Sequence, residues 1–199
     1  LVDGYRRFHS ADWRRQRERW EKLKTGQEPK VMVIACSDSR VDPAQIFDVL
    51  PGEIFVVRNV ANLVPPCETG GGRHGVSAAL EFAVTQLKVS EVVIMGHGKC
   101  GGCKAALSEA FAHAEMGEGG FIDSWVHLLD DARDKVKAEL GTGPDAEREM
   151  ELESVRLSIR NLRTFPFVQK ALGSGQLAIH GAYFAIADGQ LHIMNDKGA

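Results

Sequence analysis

Four apolar runs narrow what this chain can fold into: VMVIA (Val31 to Ala35), IFVVR (Ile54 to Arg58), VVIMG (Val92 to Gly96) and LAIHGAYF (Leu177 to Phe184). Each is rich in β-branched or aromatic residues and is followed closely by Gly, Ser, Asp or Asn, the pattern of a short strand ending in a turn. None alternates apolar with polar, so they predict strands covered on both faces. Between the second and third, GVSAALEFAVTQLKV sets Val76, Leu80, Ala83, Val84 and Leu87 at helical spacing, which gives the order strand, helix, strand of an α/β fold. After the fourth run, ADGQLHIM places Asp-Gly between two strand-like segments and predicts a hairpin, hence one antiparallel edge strand.

Two further helices are expected. FIDSWVHLLDDARDKVKAEL carries Trp125, Leu128, Leu129, Ala132 and Val136 on one face, and EREMELESVRLSIRNLRTF carries Met150, Val155, Ile159 and Leu162. TGPD (Thr142 to Asp145) marks a turn between them rather than a linker, and there is no repeat, so residues 1–199 read as one domain. Residues 1–25 form a helical arm in which Trp13 and Trp20, seven apart, mark a packing stripe against a partner subunit. The arm's arginines are interspersed with Glu and Asp, so a solvated helix face explains them better than an RNA-binding role.

With 24 Lys plus Arg against 27 Asp plus Glu, no basic excess attracts nucleic acid or anionic lipid. The apolar runs fall short of the roughly 18 residues a spanning helix needs. No nucleic-acid or membrane partner is expected. Four scattered cysteines, Cys36, Cys67, Cys100 and Cys103, do not suit a disulfide scaffold and point to a reducing compartment, the cytoplasm, although a chain opening on Leu1 leaves upstream targeting unjudged.

In an open parallel sheet, ligands sit beyond the carboxyl ends of the strands. The first run ends in Cys36-Ser37-Asp38-Ser39-Arg40 and the third in His97-Gly98-Lys99-Cys100. If those strands are neighbours, Cys36, His97 and Cys100 converge as two thiolates and an imidazole, a zinc donor set with a fourth position open, as catalytic sites have. Competing readings are a redox dithiol in the CGGC of Cys100 and Cys103, and a closed structural zinc using all of Cys36, His97, Cys100 and Cys103. The first leaves Cys36 and His97 without a role; the second has no use for the charged pair Asp38 and Arg40. Cys67 has no evident partner; His113, His127 and His192 read as surface residues and His180 as a satisfied strand histidine. Arg40 can grip Asp38 bidentately, leaving the carboxylate either to take the fourth metal position itself or to accept a hydrogen bond from the nucleophile.

CSDSR after an apolar strand, PGE-x-F-VVRNVANLVPP (Pro51 to Pro66) and His-x-x-Cys-Gly-Gly (His97 to Gly102) resemble the motifs of the β-class carbonic anhydrases, in the same order, from about Gln27 to the final strand. The resemblance implies a mainly parallel sheet of order 2-1-3-4 with an antiparallel fifth edge strand, helices on both faces, and an obligate homodimer that can assemble into tetramers or octamers. It implies Zn2+ on Cys36, His97 and Cys100, with Asp38 joining only in a closed state and Asp38 and Arg40 otherwise acting as the catalytic dyad. The reaction implied is reversible hydration of CO2 to bicarbonate and a proton by hydroxide formed at zinc. The sequence looks most like the plant-type branch, whose substrate pocket would take Gln27, Phe55, Phe82 and Gly101, with Gln27 and Phe55 reaching across the dimer interface. Val33 stands where the bicarbonate-regulated branch has tryptophan, so no bicarbonate switch is expected. Phe82 and Gln86 stand where plant members carry tyrosine and histidine, which removes a hydroxyl and a proton carrier. The alternatives are hydrolysis of CS2 or COS on the same fold, and a non-catalytic zinc or redox protein.

Overall fold

The apolar runs become the parallel strands β1 (Val31–Cys36), β2 (Ile54–Asn59), β3 (Glu91–His97) and β4 (Ala178–Ala185), in the spatial order β2-β1-β3-β4. A fifth strand, β5 (Gln190–Met194), returns antiparallel to β4 across the turn at residues 186–189, so the expected hairpin and edge strand are present. The computed structural model describes residues 1–70, 72 and 74–194.

Successive side chains of these strands point to opposite faces, and each face has its own core. Met32, Ile34, Val92 and Ile94 pack against Leu80 of α5 (Gly75–Glu81), Val155 and Leu162 of α9 (Pro144–Leu162) and Val168 of α10 (Pro166–Gly173). On the opposite face Val33, Ala35, Met95 and Ala182 meet Ile46 of the short α4 (Pro43–Ile46) and its neighbour Phe47. That second cover is partial, and it leaves Val56 39% and Ile193 68% exposed. A third cluster closes the carboxyl end of the sheet, where α6 (Gly101–Ser108), α8 (Asp130–Leu140) and α9 bury Leu107, Val136 and Met150 around Cys36, Cys100 and Cys103. α7 (Gly120–Val126) leads into α8 through one tighter turn at His127–Leu129.

Two helical readings are corrected in detail. The stretch read as one helix from Gly75 widens into a π-helical turn at Phe82–Leu87 and stops at Lys88, whose φ is +56°. The arm is three short helices, α1 (Val2–Ser10), α2 (Asp12–Arg15) and α3 (Arg17–Leu23), with breaks at Ala11 and Gln16. Those breaks rotate the turns and destroy the single stripe: Trp13 stacks on His9 while Trp20 meets the edge of Phe8. No residue of the three helices is buried, and Arg19 ties the arm to the body through Pro51 O and Glu53. The TGPD turn gives way within its own span, since Pro144 already opens α9, where its missing N–H costs no helical bond. Among the described residues no helix is long and apolar enough to cross a membrane.

Candidate metal centre and active site

β1 and β3 are adjacent and in register, Ala35 opposite Met95, so their ends deliver Cys36 and His97 to the same edge. The chain then turns sharply through Gly98 and Lys99, the latter at φ +58°, and returns Cys100 as the residue capping α6. The three donor atoms lie within 4.8 Å of one another, and all three residues are buried.

Their hydrogen bonding suits a cation. His97 Nδ1 lies 2.9 Å from Gly98 O, a bond that requires the proton on Nδ1 and leaves the lone pair on Nε2. Nε2 is buried and has no hydrogen-bond partner, which is costly unless a ligand accepts that lone pair. The sulfurs of Cys36 and Cys100 are 3.9 Å apart. Two thiolates bound tetrahedrally at about 2.3 Å to one zinc stand about 3.8 Å apart, so the donor set fits that ion with little adjustment. The neighbouring Cys100 and burial push the Cys36 thiol up to about 12, and the adjacent Cys103 does the same to Cys100. Such thiols stay protonated at neutral pH unless a cation displaces the protons.

Beside the donors, Arg40 grips Asp38 with Nε to Oδ1 at 2.9 Å and Nη2 to Oδ2 at 2.7 Å, while its backbone N–H donates to the same Oδ1 at 3.0 Å. The Arg40 guanidinium holds the Asp38 carboxyl well below the usual carboxylate range. Arg40 Nη2 also donates to Lys99 O at 3.0 Å, which ties the Asp38 loop to the His97 turn. The carboxylate is turned to Arg40 and stands outside the three-donor cluster.

Two residues of this region were not read from the sequence. Arg58, at the end of β2, donates to Cys36 O (2.9 Å), Asp38 O (2.6 Å) and Asp42 Oδ2 (3.0 Å), and so clamps the loop that carries the dyad. Asp42 in turn caps α4. A cation closing an otherwise apolar strand was the available signal. Glu151 of α9, 4% exposed, accepts from Cys100 N–H at 3.2 Å and from the Tyr183 hydroxyl at 2.8 Å. Its place four residues before the buried Val155 put it on the apolar stripe.

The remaining expected site residues separate into groups. Gly101 opens α6 beside Cys100. Phe55 and Phe82 lie together, ring centroids 6.0 Å apart, with Phe82 46% exposed. Phe55 is opposite Met32, four residues back from Cys36, or about 13 Å along the strand. Gln27 precedes β1, further toward the same amino end, exposed near Trp20 and Pro51. Within one chain, therefore, Gln27 and Phe55 do not line the Cys36 site. The CGGC motif opens a helix as a redox dithiol would, but Cys36 and His97 gather on Cys100 and leave Cys103 outside the cluster. All four cysteines are free. His113 and His192 are exposed, His127 pairs with Asp130, and His180 is exposed but paired to Glu91.

The sequence profile of the family described as carbonic anhydrase matches residues 31–191. The chain belongs to the β-carbonic anhydrase family. It is 36% identical over 175 residues to β-carbonic anhydrase 6, mitochondrial, of Arabidopsis thaliana, a match that covers 86% of this chain and 58% of that protein's length. The structure of the β-carbonic anhydrase CcaA superposes with a TM-score of 0.90 at 29% identity, over 98% of this chain and 93% of that one. A tetrameric β-carbonic anhydrase of Sordaria macrospora gives 0.81 at 26% identity, over 98% and 94%. The sheet order that the resemblance implied, β2-β1-β3-β4 with β5 antiparallel at the edge, is the one found.

Proposed function

We propose that this β-carbonic anhydrase family member catalyses the reversible hydration of CO2 to bicarbonate and a proton, with a zinc ion held by Cys36 Sγ, His97 Nε2 and Cys100 Sγ. The observation that carries the reading is the buried, unpartnered His97 Nε2 beside two sulfurs 3.9 Å apart. Zinc bound there supplies Lewis acidity, which brings the ionisation of a water toward neutral pH. Cys36 and Cys100 give up their protons to hold it. Asp38, kept ionised by Arg40, accepts a hydrogen bond from the attacking water and so aims its oxygen lone pair away from the carboxylate. A substrate that offers no donor, such as CO2, does not compete for that carboxylate. The amide of Gly101, first in α6, has no intrahelical partner and lies at the positive end of the helix, where it favours the developing bicarbonate charge.

Gln27 and Phe55, which lie toward the amino end of the sheet away from Cys36 of their own chain, serve the site of a second copy, and that separation supports a homodimer as the smallest active unit; Phe82 lies beside Phe55. The arm, with no buried residue and with Tyr5 63% exposed, supports the same assembly by packing on the partner. Higher association follows the tetrameric relative. Val33 supports the absence of a bicarbonate switch, as in the plant-type branch, and Phe82 and Gln86 leave the released proton to buffer. Four free cysteines favour a reducing compartment such as the cytoplasm. The test is CO2 hydration by stopped flow, normalised to bound zinc, for the parent and for Cys36→Ala. Rapid hydration that the variant abolishes supports the reading. Stoichiometric zinc without hydration at any pH moves it to CS2 or COS, or to a binding role.

A further inference from the structure

The turn that carries two of the three donors is supported from beneath by groups outside the cluster. Gly96, one residue before His97, lets α9 approach the sheet so closely that a Cβ there would stand 2.6 Å from Val155 Cγ2 and 3.4 Å from Glu151 O. That approach carries Glu151 under the turn, where one carboxylate oxygen takes Cys100 N–H and the other takes the Tyr183 hydroxyl. Tyr183 lies directly against the turn, since a Cβ on Gly98 would meet its hydroxyl oxygen at 3.0 Å. Arg148 sits over the Tyr183 ring, 5.3 Å from its centroid, and Gly98 N–H donates to Phe184 O at 3.0 Å. A buried carboxylate between a backbone amide and a phenol is expensive unless both bonds are made, and here both are.

We propose that Glu151 is a positioning residue of the metal centre. Through its bonds to Cys100 N–H and to Tyr183 it fixes the turn on which His97 Nε2 and Cys100 Sγ are presented, and it withholds the Cys100 amide from the thiolate sulfurs. The inference rests on the zinc reading of the cluster. Removing partners that orient metal ligands typically costs about 10-fold to 100-fold in affinity.

The experiment titrates the metal-free full-length protein with Zn2+ against a competing chelator, and records the thiolate-to-metal charge-transfer absorption with Co2+. Circular dichroism first establishes that each variant is folded. Glu151→Ala is expected to lose about tenfold or more in Zn2+ affinity and to shift the Co2+ absorption. Glu151→Gln, which can keep an acceptor for Cys100 N–H and a partner for the tyrosine, is expected to restore both readouts. Tyr183→Phe, which leaves Glu151 a single bond, should fall between and covers the case in which Glu151→Ala does not fold. Wild-type affinity and absorption in folded Glu151→Ala, or in Tyr183→Phe, overturn the proposal. Failure of Glu151→Gln to restore either readout does so too, because the effect would then come from charge. If the parent protein binds neither ion, the zinc reading fails and the inference falls with it, an outcome distinct from a parent that binds both and variants that do the same.

Discussion

Replacing Arg58 with methionine keeps the side chain's apolar stem and removes its charge and donors. Three acceptors lose their partner: Cys36 O, Asp38 O and Asp42 Oδ2. A hydrogen bond from a charged donor is worth about 1.5–3 kcal/mol. Arg58 retains 26% and Asp42 48% exposure, so water recovers part of the loss and the Asp42 contact is discounted entirely. The two carbonyl bonds at the lower bound give a destabilisation of about 3 kcal/mol. For 199 residues the unfolding entropy is about 0.4 kcal/mol per degree, which converts this to a melting temperature lower by about 7 °C. The assay is calorimetry of zinc-loaded protein at fixed concentration, since assembly also shifts melting. Asp38 loses an anchor at the same time, so hydration per bound zinc should fall about tenfold while zinc is retained. A melting shift under about 2 °C with unchanged turnover would refute the idea that Arg58 clamps this loop.

Arg40→Ala should leave zinc stoichiometry intact and lower turnover by about 10-fold to 100-fold, because Asp38 is no longer held toward the water; full activity in that variant would remove the dyad's role. Their neighbours and burial push the metal-free Cys36 and Cys100 thiols up to about 12, and His97, despite its burial, is held above its ordinary value by the Cys36 side chain, so binding a divalent cation between pH 6 and 8 should release at least two protons and tighten about 100-fold or more per pH unit, and zinc titrations with no pH dependence would contradict this. These thiols ionise less readily in the folded state than at their ordinary value of 9.0, so the stability they contribute is complete below pH 9 and lost as pH rises toward 12. Urea unfolding of metal-free protein at pH 7 and pH 10 should show a lower midpoint at pH 10. Mixing Cys36→Ala chains with Phe55→Ala chains should restore activity above either alone, since one site of the hybrid dimer is then intact; strictly additive residual rates would place Phe55 outside the partner's site.

Much of this was legible because the informative signals are local. Continuous apolar strands ending in chemistry-bearing residues, with a glycine after His97 to turn the chain, required only that β1 and β3 be neighbours for Cys36, His97 and Cys100 to meet, and the parallel register makes them so. The arm is helical as expected, but its breaks at Ala11 and Gln16 carry no Gly or Pro signal, and seven-residue spacing marks one stripe only along an unbroken helix. Glu151 was hidden for a different reason. A charged residue in a helix of mean polar character reads as solvated, and its burial depends on Gly96 allowing α9 to approach β3 across 55 residues of sequence. Arg58 likewise serves the β1 loop from the next strand. Residues that support a site from a neighbouring element leave no periodicity of their own.

The most direct test of the central claim is the CO2 hydration rate of the zinc-loaded protein measured by stopped flow, with the metal content of the same sample determined and Cys36→Ala run in parallel. Rapid hydration at about one zinc per chain, lost in the variant, is the predicted result. Full zinc occupancy with no hydration above the uncatalysed rate at any pH would contradict it.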